Sequence, residues 1–491
     1  MAISLFIGPK SATNKKWQRV LMKLAKDGLI QLVIIDEAHF VNQSGRHFRP
    51  KFHGAVKFLG NMVKVMPRRV PRVLLSATML KEDVNKCMDL LKEKKKPEVL
   101  HGSLERRTIG FEVYVTGSAG ASLRKRAQED FKKRPYAQQI WYTNSRKKAE
   151  TSLRDTADTL LEENRKDNEG PNSVSQTFVG TDGIMMKSTT MDAVKLYDIL
   201  DGEGTILDPR SYARIAKDEM TDEEEVKLPK IQCIVATKSA EAGINGKFLE
   251  FGKMNGIPAS KYELVQALGR VDREGNAVPG DNTYQIHACA HSHTSQFVRI
   301  MKCPCSTERT VQLTHLNEVM VMLFLSKMCY HRAIEIYFEW EKYPDKTDCG
   351  KFCTKCKQKN NSFTKRVRKA GVQSLLCKKV DGQKVSVSGF MKLLKTNKEL
   401  IFHKDDVPKG KEVGQIHALH LQLVAGGIIS YDVKDRAKIG TDKLKADDLF
   451  VVCPKKEEEL EGINCCKPGY LVDSMWEGFD LIKYATTEAS A

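Results

Sequence analysis

Residues 32–39 read Leu-Val-Ile-Ile-Asp-Glu-Ala-His, a short apolar run that ends in two adjacent carboxylates. Four apolar residues in succession predict a strand buried on both faces, as in a parallel sheet covered by helices. In such sheets ligands gather at the carboxyl ends of the strands, which is where Asp36 and Glu37 lie. One carboxylate there can hold Mg²⁺, usually through water, and its neighbour can orient or deprotonate an attacking water. That pairing suits nucleotide hydrolysis. An acidic helix cap after a strand would read the same, so the neighbouring segments carry the decision.

A second apolar strand, Arg72-Val73-Leu74-Leu75, ends in Ser76-Ala77-Thr78. A third, Ile234-Val235-Ala236, ends in Thr237 and continues into Gly243-Ile244-Asn245. Then comes Gln266-Ala267-Leu268-Gly269-Arg270-Val271-Asp272-Arg273. In this order the four pieces resemble motifs II, III, V and VI of superfamily 2 helicases. The segment 36–52, DEAHFVNQSGRHFRPKF, is similar to the aromatic-rich loop that follows the catalytic acids in RecQ-type DNA helicases. Glu105-Arg106-Arg107-Thr108-Ile109 resembles that family's link into its second motor domain, and Ile140-Trp141-Tyr142-Thr143-Asn144-Ser145-Arg146 its motif IV. The matched pieces span about residues 4 to 360.

The resemblance implies an ATP-dependent 3′-to-5′ DNA helicase of the DEAH-box type, acting on single strands and duplex junctions, nuclear, in repair and recombination. It implies that Asp36 holds Mg²⁺, that Glu37 with His39 activates water, and that Ser76, Ala77 and Thr78 couple hydrolysis to domain movement. Gln266, Gly243 and Asn245 would contact ATP. Arg270 and Arg273 would reach the γ-phosphate as arginine fingers, worth roughly 10³–10⁵ in rate in other nucleotidases. Phe40, Arg46, His47, Phe48 and Arg49, with Asn144, Ser145, Arg146 and Thr237, would touch DNA. Rings beside cations suit stacking on unpaired bases and holding phosphates, although Phe48 and Phe52 could equally serve packing. Ser44 stands where the family typically has Trp, Glu241 where it usually has Gly, and Thr181-Asp182-Gly183 lacks the family's His.

Composition agrees with a polyanionic partner. The 491 residues carry a formal net charge of +18, with a sequence pI near 9.2. Basic runs occur at 92–96, 124–126, 132–134 and 365–369, each by itself more often a solvated face than a site. Thirteen cysteines, an odd number scattered through a long chain, favour a reducing compartment over a disulfide scaffold. The stretch 3–7 has no basic flank or cleavage site, and the apolar run 319–325 is far too short for a bilayer, so a soluble, non-secreted protein is expected.

Cys329, Cys349, Cys353 and Cys356 form the best metal candidate. The spacing Cys349-x₃-Cys353-x₂-Cys356 places three thiols on one tight turn, with Cys329 on a preceding amphipathic helix. Four thiolates suit tetrahedral Zn²⁺. The RecQ-type zinc subdomain has this layout, though with two residues in the first gap. His287, His291 and His293 end an expected strand and read as polar surface.

Further along, 4–9 reads as a strand, and Thr13 could cap a helix with Trp17, Val20, Leu21 and Leu24 on its apolar face. Residues 162–175 read as a loop and 202–229 as a charged surface insertion. After a basic linker at 364–369, the helix 415–424, a Gly426-Gly427 stop and the strand starting at 428 read as a winged helix.

The expected architecture is α/β. A partial first RecA-like domain (1–98) and a second (99–300) carry parallel sheets. A zinc-binding module (301–365), a winged-helix-like domain (370–455) and a tail (456–491) follow. No G-x-x-x-x-G-K-S/T phosphate loop occurs in the chain. The chain thus reads as a fragment or a truncated motor that hydrolyses ATP poorly alone, or as a non-catalytic DNA-binding remnant. ATP, Mg²⁺ and Zn²⁺ are the expected cofactors.

Overall fold

The computed structural model describes residues 4–43, 50–95, 97–134 except 101, 103, 105 and 107, 137–144, 249–272, 280–338 except 327, 349, 352–359, 384–402 and 413–452, with short pieces within 156–163, 177–186, 233–236, 364–366, 371–376 and 480–482. Arg46, His47, Phe48, Arg49, Ser145, Arg146, Thr237, Gly243, Asn245 and Arg273 lie outside the described residues, as do Ser44, Glu241 and the 202–229 insertion. The chain forms two compact bodies, Met1–Glu105 with Ile334–Lys346, and Arg106–Ala333 with Thr347–Ala491.

The first body opens differently from its sequence reading. Residues 4–8 form no strand, and Phe6 is 94% exposed. Helix α1 (Pro9–Ala12) starts at the proline instead, where the missing N–H costs nothing. In α2 (Lys15–Lys26) the cap is Asn14, whose Oδ1 accepts from the Lys16 N–H at 2.8 Å. Leu21 and Ala25 are buried, whereas Trp17 and Val20 are exposed, so the buried stripe is rotated from the expected one.

Strand β1 (Val33–Ile35) is followed by α3 (Phe40–Gln43) and α4 (Pro50–Val63), then by β2 (Arg72–Leu74), which pairs with β1 in parallel, and by α5 (Lys81–Leu91). Val33 and Ile35 are buried but Ile34 is 54% exposed, so β1 is covered on one face and not on two. Helices α4 and α5 meet at Gly60, where a Cβ would lie 2.2 Å from the Leu90 carbonyl oxygen; only glycine admits that approach.

The second body is built on a seven-stranded sheet in the order β3-β9-β8-β4-β7-β5-β6. Its strands are β3 (Ile109–Val115), β4 (Gln138–Thr143), β5 (Thr177–Thr181), β6 (Ile184–Met186), β7 (Cys233–Ala236), β8 (Leu249–Asn255) and β9 (Asn282–Ala288). All neighbours are parallel except the β5–β6 pair. Strands β4 and β7 are buried at every position, as a sheet covered on both faces requires. Helix α6 (Ala119–Lys133) packs on β8 and β9.

Between α6 and the sheet lies a buried polar layer. The Lys253 ammonium on β8 pairs with Asp130 of α6 and donates to Gln285 Oε1 at 2.7 Å. His287 lies 2.9 Å from Ser122 Oγ and stacks on Tyr114, whose hydroxyl donates to Glu112. His287 is therefore interior, not surface.

Helices α7 (Lys261–Leu268), α8 (Ala290–Met301) and α9 (Ser306–Met320) follow, and α9 runs into a single π-turn, Val321–Leu325. The long apolar run is thus core, with 321–324 buried; among the described residues no helix is long and apolar enough to cross a membrane. Helices α10 (Tyr330–Tyr337) and α11 (Thr354–Lys359) frame the cysteine cluster. Strand β10 (Thr364–Arg366), read as a linker, pairs with a distant C-terminal strand at Asp480–Ile482.

The C-terminal part sets β11 (Val385–Ser386), α12 (Val387–Thr396), α13 (Lys398–Ile401) and α14 (Val413–Ala425) beside strands β12 (Ser430–Val433) and β13 (Leu449–Val452), in an antiparallel sheet ordered β11-β13-β12. Gly427 ends α14 at φ 69°. Helix α14 packs on α8 through histidines. His417 Nδ1 accepts from the Ala290 N–H at 3.0 Å, His420 Nε2 sits 2.6 Å from the Tyr431 hydroxyl, and the His293 ring lies 5.3 Å from the Tyr431 ring. His293 is 2% exposed, again interior where the sequence suggested surface.

Two outcomes follow from these buried groups. Lys253→Met strands the Asp130 carboxylate, and we expect a loss of about 3–5 kcal/mol in urea unfolding of the second body. Burial lowers His293 and His417 from 6.5 to about 4, and holds His287 and His420 well below 6.5. A depressed histidine leaves stability unchanged above pH 6.5, where both states are neutral. As pH falls from 6.5 toward 4, only the unfolded chain gains the proton, so stability drops by about 1 kcal/mol per histidine at pH 5.5. Urea midpoints between pH 7.5 and 5 check this, and a flat profile would contradict it.

Candidate functional site

The paired carboxylates sit where β1 ends. Glu37 adopts φ 50°, the left-handed region that non-glycine residues rarely visit, and its N–H donates to Asp36 Oδ1 at 2.8 Å. This sharp turn leaves Asp36 exposed and folds Glu37 back to half-buried. His39, fully buried, brings Nδ1 to 3.2 Å from Glu37 Oε2 and 2.8 Å from Ser76 Oγ. The hydrogen bond runs between Nδ1 and Ser76 Oγ, with the Glu37 carboxylate beside it at ion-pair distance. Ser76 Oγ in turn accepts from the Thr78 N–H at 3.0 Å.

Backbone pairing locks the two turns side by side. The Leu75 N–H donates to Ile35 O and the Ala38 N–H donates to Leu75 O, both at 2.9 Å. Asp36, Glu37, His39, Ser76, Ala77 and Thr78 are thus one structural unit. The Thr78 side chain is buried, and its Oγ1 has no hydrogen-bond partner among the described residues. Cys87 lies beneath, its thiol 3.7 Å from Ala38 O and pushed up to about 12 by burial, which makes it inert.

Phe40, read as a base-stacking ring, is only 7% exposed. It packs edge-on to Phe52 at 6.0 Å and against His39 at 4.2 Å, so the ring sits among core side chains in this structure.

In the second body, Asn144 follows β4 and its Nδ2 donates to Ile257 O at 2.9 Å, which braces the end of the strand. Gln266 lies half-buried on α7, and Arg270 follows in the turn that ends it. That turn is gripped by Arg106, which donates to Gly269 O at 3.0 Å and to Asp272 O. Arg106 is a positioning residue that sequence reading noticed only as part of a linker. Asp272 takes φ 45° and its N–H donates to Leu249 O, so the turn is held from both sides.

The cysteine cluster docks on the edge strand β3. The Phe111 N–H donates to Phe352 O at 2.9 Å, and the Val113 N–H donates to Thr354 Oγ1 at 2.9 Å. Cys353 thereby forms a parallel bridge with Phe111. Cys329 does not lie on a helix; it precedes α10 directly. One donor was missed: His331. The thiols of Cys329, Cys349 and Cys353 and a ring nitrogen of His331 all lie within 4.8 Å of one another, and all four residues are buried. Cys356 is buried next to them, and its N–H donates to Cys353 Sγ at 3.4 Å. The Cys329 and Cys353 sulfurs are 3.8 Å apart, about the edge of a tetrahedron of four 2.3 Å bonds. Hydrogen bonds from Cys349 and then Cys353 hold the Cys329 thiol far below its usual range. Soft donors, tetrahedral spacing and a favoured thiolate fit a structural zinc ion.

The acidic turn fits a different group less completely. An exposed Asp36 beside Glu37 suits a water-bridged Mg²⁺, but the chain has no glycine-rich loop to cradle phosphates.

No protein-family model matches this sequence. Among solved structures, the helicase Lhr of Mycobacterium smegmatis, bound to ssDNA and AMP-PNP, is similar at 15% identity and a TM-score of 0.35, over 64% of this chain and 36% of that one. Mss116p bound to ssRNA and AMP-PNP gives 13%, 0.36, 62% and 55%. The DUF1998 helicase MrfA bound to DNA and AMPPNP gives 16%, 0.35, 57% and 34%. The chain spans little more than half, or less, of each of these neighbours, and likeness at this level does not place it in a family.

The strand-end geometry yields one expectation. Ser76→Ala removes the acceptor of the Thr78 N–H and the second partner of His39, and should cost about 1–3 kcal/mol in the first body. Hydrogen exchange at Thr78 should quicken with it; unchanged exchange would separate the two turns.

Proposed function

We propose that the chain is the motor portion of a RecQ-like superfamily 2 helicase that couples ATP hydrolysis to 3′-to-5′ movement on DNA. The observation that carries this reading is the His39 contact to both Glu37 and Ser76. It ties the acids that would handle metal and water to the Ser-Ala-Thr turn that would report on the nucleic acid. In the complete site Asp36 would hold Mg²⁺ and Glu37 would orient water. Gln266, Arg270 and Arg273 would meet the γ-phosphate, and Arg106 holds the turn that carries Arg270. The metal supplies Lewis acidity; the chain's own residues supply placement.

The remaining assignments follow from that proposal. The cysteine cluster is read as a zinc module that stiffens the edge of the second body, worth on the order of 10 kcal/mol to folding of that element. The three-stranded sheet with α12 and α14 is read as a winged helix for duplex DNA. Action in the nucleus, in repair or recombination, completes the reading. The formal charge of +18 supports DNA as partner.

A second reading, a DNA-binding protein without turnover, is favoured by one observation, the lack of a phosphate loop in these 491 residues. ATP hydrolysis by this polypeptide with and without single-stranded DNA, beside Glu37→Gln, decides between them. Turnover that rises with DNA and falls at least about 10²-fold in the variant supports the motor. DNA binding without turnover supports the binding protein. In either case log affinity should fall steeply with log salt, and a flat salt profile would overturn DNA as the partner.

A further inference from the structure

We propose that Lys57, Lys64 and Lys92 form a second contact surface for nucleic acid, one that grips phosphates of the strand backbone without reading bases. It lies on the first body, at the opposite end of the strand pair from Asp36 and Glu37. The proposal rests on the nucleic-acid reading above and adds a place to it.

Its position follows from the topology. Strands β1 and β2 are parallel, so α4 returns the chain from the carboxyl end of β1 to the amino end of β2. Helix α5 runs beside α4 and meets it at Gly60, against Leu90 and Leu91. Both helices therefore finish at the amino ends of the strands. The Glu93 carboxylate marks this pole, since it pairs with Arg72, the first residue of β2. Lys64 and Lys92 directly follow the two helices, and Lys57 stands two turns before Lys64 on the same face of α4.

Three features separate this cluster from an ordinary solvated face. The first is crowding of cations that are all exposed. Lys92 Nζ donates to Asn61 Oδ1 at 2.8 Å, and the Lys64 ammonium beside it holds its pKa below the usual lysine value, with Lys57 adding to the repulsion. A cation past a helix C-terminus complements the helix dipole, which accounts for one lysine at each end but not for their convergence. The second is the lack of a counter-charge. Glu93, the one acid in 92–96, is engaged by Arg69 and Arg72 and accepts the N–H groups of Lys94 and Lys95 at 3.1 and 3.2 Å. Among the described residues no carboxylate pairs with Lys57, Lys64 or Lys92. The third is the backbone of Lys92, whose φ of 55° is the left-handed helix stop that glycine fills most readily. Neither that conformation nor the repulsion helps the fold, and both concentrate positive charge.

A polyanion supplies what the fold leaves out. Phosphate oxygens set between the ammonium groups turn their repulsion into attraction. Lys57 and Lys64 stand about 10 Å apart along the helix, the axial span of about three phosphates on one strand. A repeating backbone therefore fits the cluster better than a single phosphate does.

Salt titrations of DNA binding by the full chain test this, with a fluorescent single strand as the probe. The slope of log affinity against log salt counts the phosphates neutralised, at about 0.7 each on a single strand. Changing Lys57, Lys64 and Lys92 together to Gln should lower that slope by about 2 and weaken binding at least about tenfold at low salt. An unchanged slope with DNA still bound would overturn this surface and leave the DNA reading intact. No binding by the wild-type chain would overturn both. A polyglutamate peptide that binds the wild-type chain but not the triple variant, with DNA binding equal in the two, would assign the surface to an acidic protein and overturn the proposal. Lys92→Gly gives a readout that a structural role would not. It removes both the left-handed side chain and the repulsion, so the urea midpoint of the first body should rise while DNA binding weakens. A lower midpoint with DNA binding kept would make Lys92 a structural cap and remove it from the site.

Discussion

Strand β3 lies at the margin of the seven-stranded sheet, and its outward N–H and C=O groups need partners that another strand does not provide. The cysteine cluster provides them. Phe352 and Thr354 accept from Phe111 and Val113, and His331 donates to Ile109. Phe111 is fully buried against Tyr284 and Tyr330. The segment whose Phe352 and Thr354 cover the edge also brings Cys353 beside Cys329 and His331. Gly280 belongs to this arrangement. It has φ 88°, and a Cβ there would stand 2.9 Å from the Phe352 ring.

The acidic turn of the first body obeys a related rule on a smaller scale. A parallel pair of strands ends at Ile35 and Leu74, and the chain leaves each end through a tight turn. Glu37 takes the left-handed backbone at the first turn, and Ser76 Oγ accepts from the Thr78 N–H across the second. His39 joins them through one ring nitrogen. Left-handed backbone at a non-glycine residue persists only where its surroundings hold it, and here those surroundings are the partners of the proposed chemistry.

Polar groups, and not only apolar ones, knit the second body. Lys253 with Asp130, His287 with Ser122, and the His417 and His420 contacts of α14 all lie in the interior. Such contacts specify register more than they add strength, because each has been stripped of water to form. The acid sensitivity expected of this body follows from the same burial.

What the sequence determined by itself is local. Apolar runs ending in chemistry-bearing residues mark β1, β2, β4 and β7, the helix over 261–268 is legible from its pattern, and Gly426-Gly427 marks the stop after α14. Asp36, Glu37 and Ser76 stand out because strand ends are where such sheets place their chemistry. Tertiary structure decided the rest. Whether Phe40 faces solvent depends on Phe52, twelve residues away, and whether Asn144 is open depends on Ile257. The interior place of His287 and His293 follows from helices contributed by distant segments, which no local alternation records. His331 is the sharpest case. In sequence it is one histidine two residues after a cysteine, and it becomes a candidate ligand only because a carbonyl on β3, more than two hundred residues earlier, holds its other nitrogen. Spacing along a chain constrains which donors can share a turn; which of them point at one atom is set by the surface the turn is folded against.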